Sequence, residues 1–188
     1  MKNTRNIIFI ILATILTGCV AAAMVGAAGS MVVYDRRSVV TIERDARIFY
    51  QVRKAIIPNP AFRDSRVVVT SFNNVVLLTG QTPTASLRVL AERLAQKTEY
   101  VRHVYDEIVV GNPIPLTQQS KDSVIPGEVR TKMLAKKGLG SGSIRIVTEN
   151  GVVYLMGVVT ADQANLAVEV ARQTRGVQKV VKVFQYFN

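Results

Sequence analysis

Asn150-Gly151-Val152-Val153-Tyr154-Leu155-Met156-Gly157 is an Asn-Gly pair followed by an apolar run that ends on glycine. Asn-Gly between apolar runs is the strongest short hairpin signal, because both central residues of a type I′ turn need positive φ. Ile144 and Ile146 alternate just upstream and supply the first strand. With an offset of 77 the chain reads the same way earlier, as Asn73-Asn74-Val75-Val76-Leu77-Leu78-Thr79-Gly80 behind Val67 and Val69. Working outward, Asp45, Ile48, Val52 and Arg53 match Asp122, Ile125, Val129 and Arg130 at that offset. Past Pro83 the offset drops to 76, and Ala91, Ala95, Val101 and Val104 match Ala167, Ala171, Val177 and Val180. Two copies do not make a solenoid, so the chain reads as two small tandem domains.

Each repeat carries one order of elements. Ile48, Val52 and Ile56 recur at helical spacing, echoed by Ile125, Val129 and Met133. Asp45 and Asp122 stand where an N-cap acceptor would help. Pro126 suits a first helical position, which predicts the helix of repeat two over about 126–137. Pro58-Asn59-Pro60 and Gly138-Leu139-Gly140 stop the two helices. The hairpin follows, then a second helix around Leu87, Leu90 and Leu94, or Ala164, Ala167 and Ala171, then a closing strand. The expectation is α-β-β-α-β twice: an α+β two-layer sandwich in which a small mixed sheet packs on two helices. Domains are expected at 43–111 and 119–188, joined by a Pro-containing linker at 112–118.

The N-terminus reads as a targeting signal. Lys2 and Arg5 precede an apolar stretch over 7–16, too short to span a hydrocarbon core of ~30 Å. Leu16-Thr17-Gly18-Cys19 resembles the bacterial lipobox. That resemblance implies removal of a 1–18 signal peptide, palmitate and other acyl chains on Cys19, and a tether over 19–42. Val20 rather than Asp after the cysteine favours the outer membrane by the same resemblance. A simple transmembrane span competes, since no charge occurs over 6–34, but Ala21, Ala22, Ala23, Gly26 and Gly29 weaken its second half.

Each repeat resembles a BON domain, whose pattern is "N-G-x-V-x-L-x-G", an Ala-rich helix and "G-V-x-x-V". Repeat two carries it at 150–157 and as Gly176-Val177-Gln178-Lys179-Val180; repeat one departs, with Asn74 and Tyr100 in place of glycines. Lipobox, Arg37-Ser38-Val39 and the 148–160 block make the whole chain similar to dual-BON outer-membrane lipoproteins. The resemblance implies a non-enzymatic lipoprotein on the periplasmic face of the outer membrane that supports membrane integrity. It implies binding of anionic phospholipid through the first helix of the second BON domain. There Val124 and Ile125 would form an apolar lip, with Arg130, Lys132, Lys136 and Lys137 supplying charge. Val124 occupies the place of a membrane-inserting Trp in the family. The blander alternative is a helix with Ile125, Val129, Met133 and Leu134 in the core and a solvated lysine face. The resemblance also implies links to the outer-membrane protein assembly machinery or to cell-wall regulators. Segments 39–42 and 181–187 are candidate sheet edges for strand addition.

Composition narrows the chemistry. A single Cys excludes an intrachain disulfide and a multi-Cys zinc site, and a single His excludes a multi-His site. His103 reads as a surface residue of a strand, and Asp106 and Glu107 adjoin and so face opposite sides of it. The glycines over 138–142 follow a helix and precede a strand, the reverse of a phosphate-binding loop. No catalytic residue, metal or cofactor is expected, apart from the acyl chains on Cys19. The net charge of +11, or +9 once Lys2 and Arg5 are removed, calls for anionic partners. No dense basic run with interleaved aromatics occurs, and export removes the chain from nucleic acid, so anionic lipid is the partner expected.

Overall fold

The computed structural model describes residues 37–187. Among them are four α-helices, α1 (Val39–Ile56), α2 (Ala85–Gln96), α3 (Leu116–Ala135) and α4 (Ala161–Arg172). The strands are β1 (Arg66–Phe72), β2 (Val75–Thr82), β3 (His103–Val110), β4 (Ile144–Glu149), β5 (Val152–Val159) and β6 (Lys179–Tyr186). Each repeat is the expected α-β-β-α-β sandwich. β1 and β4 pair antiparallel with β2 and β5, which pair parallel with β3 and β6. The central strand is therefore the second one, and α2 or α4 is the crossover that a parallel connection requires.

Burial explains the helical patterns. Ile48, Val52 and Ile56 of α1 enter a core with Val67, Val69, Val76, Leu78, Ala91 and Ala95. Ile125, Val129 and Met133 do the same in repeat two, against Ile144, Val153, Leu155, Ala167 and Ala171. The small alanines let α2 and α4 lie close on their sheets. Thr160 opens α4 with a reciprocal capping box to Gln163, and Thr84 caps α2 alone.

The two aspartates correct the sequence reading. Neither is an N-cap: α1 starts six residues before Asp45, on Ser38, whose hydroxyl accepts from Thr41 N at 3.1 Å. α3 starts six residues before Asp122, at Leu116, behind Pro115. The segment 39–42 is accordingly helical and offers no strand edge. Pro126 lies inside α3 rather than at its start, so the helix lacks the N–H that would reach the Asp122 carbonyl. Asp45 and Asp122 instead sit buried on the core side of their helices and hold the hairpin turns. Asp45 accepts from Asn73 N at 2.7 Å and Asn74 N at 2.8 Å; Asp122 accepts from Asn150 N at 2.5 Å and Gly151 N at 2.9 Å. All four turn residues have positive φ, as a type I′ turn demands.

The two sheets also pack on each other. Phe72, Val75 and Leu77 of repeat one meet Tyr154, Met156 and Val183 of repeat two in a third apolar cluster. Burial raises the Tyr154 phenol to about 12, with smaller contributions from Glu107 and Glu149, so it stays neutral at physiological pH. At the rim Arg66 Nη1 binds both carboxylate oxygens of buried Glu149 at 2.5 Å, and Gln81 Nε2 donates to the same carboxylate at 2.8 Å. Asn73 and Gln185 pair at the other end, 2.8 Å apart.

Two outcomes follow for stability. Asp122→Ala leaves two turn N–H groups without an acceptor, at ~1–3 kcal/mol each, so urea unfolding should show a loss of about 3 kcal/mol. An unchanged midpoint would show that the turn does not need the carboxylate. Glu149→Ala strands Arg66 and should cost about 3–5 kcal/mol, whereas Glu149→Gln keeps hydrogen bonding and should cost less. Equal losses in the two variants would assign the cost to the charge, which both remove, and not to the hydrogen bonds that Gln keeps.

Candidate membrane-facing surface

The first helix of repeat two is longer than its apolar stripe suggests, and this decides which side chains face outward. Asp122, Ile125, Val129 and Met133 define the buried side of α3. Val124, 57% exposed, looks the other way, with exposed Lys121 one turn before it and exposed Glu128 one turn after. Ile125 is 5% exposed and belongs to the core cluster, so the expected two-residue lip reduces to Val124 alone. The physical reason is the 100° step per residue, which cannot turn adjacent side chains to the same side.

The four expected cations do not converge on one patch. Arg130 and Lys132, two positions apart, project about 200° apart around the helix. Arg130 leans to the strand side, where Nη2 donates to the Ile144 carbonyl at 2.5 Å. Burial lowers its pKa, and the neighbouring charge of Arg145 lowers it further. Lys132 and Lys136 lean toward α4 instead. Lys132 Nζ donates to the Gln173 carbonyl at 3.0 Å, at the end of α4, and Lys136 Nζ lies 3.4 Å from Glu169 Oε1. Lys137 is exposed just past the helix. The outer side of α3 thus presents Val124 flanked by Lys121 and Glu128, with Lys132, Lys136 and Lys137 along one border. Lys121 escaped the sequence reading because it precedes Pro126, where no helix was expected. Cys19 lies outside the described residues.

Among the described residues no group of three or more His, Cys, Asp or Glu side chains could hold a metal ion, and no helix is long and apolar enough to cross a membrane. His103 is exposed at the start of β3, its ring edge-on to Tyr105 at 4.5 Å between centroids. Gly138 follows the end of α3 and has positive φ, a helix-terminating conformation.

Comparison with known proteins agrees with this architecture. The BON domain family model matches twice, over residues 44–112 and 121–186. The outer membrane lipoprotein DolP of Haemophilus influenzae is 37% identical over 175 residues, covering 92% of this chain and 91% of that protein. A 21 kDa hemolysin of Actinobacillus pleuropneumoniae is 42% identical over 123 residues, covering 65% of this chain and 63% of the relative. Osmotically-inducible protein Y of Escherichia coli is 25% identical over 72% of this chain and 69% of its own length. With two BON domains in tandem and an outer-membrane lipoprotein matched along nearly its whole length, the chain belongs to the DolP family of dual-BON outer-membrane lipoproteins.

Proposed function

We propose that this protein is a non-enzymatic lipoprotein, held on the periplasmic face of the outer membrane by acyl chains on Cys19, that touches anionic phospholipid with α3 and so supports membrane integrity. The observation that carries the reading is Val124: an apolar side chain, 57% exposed, on a segment whose side chains from Lys121 to Lys137 include four lysines. A basic helix that shows an apolar side chain to solvent favours a negatively charged interface, where each cation contributes ~1 kcal/mol. Glu128 on the same side opposes this attraction, and Val buries less area than an aromatic, so contact through α3 alone is weak. The acyl anchor compensates: once the chain is tethered, docking of the helix is intramolecular and needs little intrinsic affinity.

The compartment and the surface are tested separately. Metabolic palmitate labelling should mark the wild type and fail on Cys19→Ala, which should also leave the outer-membrane fraction; label on the variant would place the acyl chains elsewhere. For the surface, residues 20–188 should float with phosphatidylglycerol vesicles and not with phosphatidylcholine vesicles. Lys132→Glu with Lys136→Glu should weaken flotation by at least about thirtyfold. The sequence contains no Trp, so Val124→Trp supplies a sole indole reporter. Its emission should shift to the blue on anionic vesicles and its affinity should rise. An emission spectrum indifferent to anionic lipid would remove α3 from the interface.

A further inference from the structure

The duplication has produced two equivalent grooves, one in each repeat, between the first helix and the edge strand of the sheet. In repeat one the groove has a volume of about 310 Å³, and its walls are Ile42, Ala46 and Phe49 of α1 against Val69, Thr70 and Ser71 of β1. In repeat two the groove is about 330 Å³, between Gln119, Ser123 and Pro126 of α3 and Ile146, Val147 and Thr148 of β4. Each of these pairs is separated by the repeat offset of 77, so the two cavities are the same place in the fold. Arg145 lines both grooves, exposed and without a hydrogen-bond or ion-pair partner among the described residues.

The strands that floor these grooves are sheet edges, since among the described residues β1 pairs only with β2 and β4 only with β5. A two-residue turn makes its flanking residues, Phe72 and Val75, a hydrogen-bonded pair, and the pairing then alternates along the ladder. Arg66, Val68, Thr70 and Phe72 therefore spend their backbone groups on β2, and Val67, Val69 and Ser71 direct theirs outward. By the same count Ile144, Ile146 and Thr148 direct theirs outward from β4. The Arg130–Ile144 hydrogen bond bears this out, for it ends on one of those outward carbonyls.

The two copies differ in their helix walls and at one edge carbonyl. In repeat two Arg130 takes the Ile144 carbonyl, and the helix wall is Gln119, Ser123 and Pro126. In repeat one the counterpart of Arg130 is Arg53, which lies over the Phe49 ring at 5.9 Å and leaves the Val67 carbonyl without a side-chain partner among the described residues. The helix wall there is apolar, with Ile42 and Phe49 41% and 39% exposed. A row of outward backbone donors and acceptors beside an apolar helix wall is what an added β-strand requires: main-chain bonds supply affinity and the wall selects side chains.

We propose that the α1–β1 groove of repeat one binds an extended segment of a partner protein as an added strand, with an apolar side chain against Ile42 and Phe49 and an acidic group toward Arg145. The groove of repeat two, whose helix wall is Gln119, Ser123 and Pro126 in place of Ile42, Ala46 and Phe49, does not. The acidic preference follows from Arg145, a charge at the groove mouth that nothing in the described protein neutralises. This surface is distinct from the outer side of α3 that carries the lipid reading, so either one stands without the other.

The test is an amide NMR titration of the full chain in detergent micelles with an acetylated Thr-Leu-Thr-Val-Thr-Glu peptide. The amides of Val67, Val69 and Ser71 should shift, and those of Ile144, Ile146 and Thr148 should not. The same peptide N-methylated on alternate amides should not bind, because it has lost the donors that face β1. Ile42→Gln with Ala46→Ser gives groove one two of the three helix-wall side chains of groove two and should weaken binding by about tenfold. Silence of the β1 amides up to millimolar peptide, an equal response to the N-methylated peptide, or equal shifts in β4 would each overturn the proposal.

Discussion

A buried carboxylate that holds two backbone N–H groups of a hairpin turn is the constraint on which each half of this molecule rests. A type I′ turn orients its N–H groups away from the ladder, and burial beneath a helix would leave them without water. The helix solves this itself by placing Asp45 or Asp122 at the head of its apolar stripe, where an aliphatic residue would otherwise go. Helix position, turn type and strand register are thereby tied together. A slip of the hairpin by one residue would reverse its faces and would also withdraw both donors from the carboxylate. Repeat one elaborates the clamp: Arg37 Nη1 approaches Asp45 to 2.6 Å while its guanidinium lies 4.1 Å from the Phe72 ring, and Ser71 donates to the same carboxylate at 3.2 Å. Repeat two uses Gln118 of α3 instead, at 2.8 Å.

The second constraint is what each sheet does with its free face. A three-stranded sheet covered by helices on one side still exposes apolar surface on the other, and each repeat covers the other's. Phe72, Leu77, Tyr154 and Met156 make that contact apolar at its centre, and Arg66–Glu149 with Gln81 makes it polar at its rim. The buried Glu149 is tolerable because three of its hydrogen bonds come from those two side chains. Gln81 also accepts from Ile114 N at 3.1 Å, which fastens the connecting segment to the same network.

What could be read from the residues was whatever contacts the core. The first strands of the hairpins, the second helices and the closing strands all left a periodic trace, and so did the buried stripe of α3. The first six residues of α3 left none, because Leu116 to Lys121 do not enter the core, and Pro126 then looked like a beginning. Asp122 was legible as a repeated position but not as a turn clamp, since its partners lie 28 and 29 residues away. Packing of sheet on sheet had a signal that went unused: Val75-Val76-Leu77-Leu78 and Val152-Val153-Tyr154-Leu155-Met156 run on without alternation, as strands covered on both faces do. Of the proposed surface, the exposure of Val124 was legible, whereas the division of Arg130 and Lys132 between opposite flanks depends on where β4 and α4 lie.

Duplication gave this chain two copies of one scaffold, and the scaffold leaves little freedom inside. The turn clamp, the apolar stripe and the alanines recur because each meets the same packing demand twice. Difference is therefore concentrated where the demand is absent. Repeat one carries Phe49 and Tyr50 exposed on its first helix and keeps Tyr100 at positive φ, where repeat two has Gly176. That backbone conformation is strained for a tyrosine, and it is held by Asn74 Nδ2 donating to the Tyr100 carbonyl at 3.2 Å, with Arg44 over the ring at 5.4 Å. Repeat two has a proline in the place of Phe49 and spends Arg130 on the Ile144 carbonyl. One half therefore shows aromatic side chains on its first helix, and the other shows a lysine-bordered one. The shared interior is what allows them to diverge without loss of the fold.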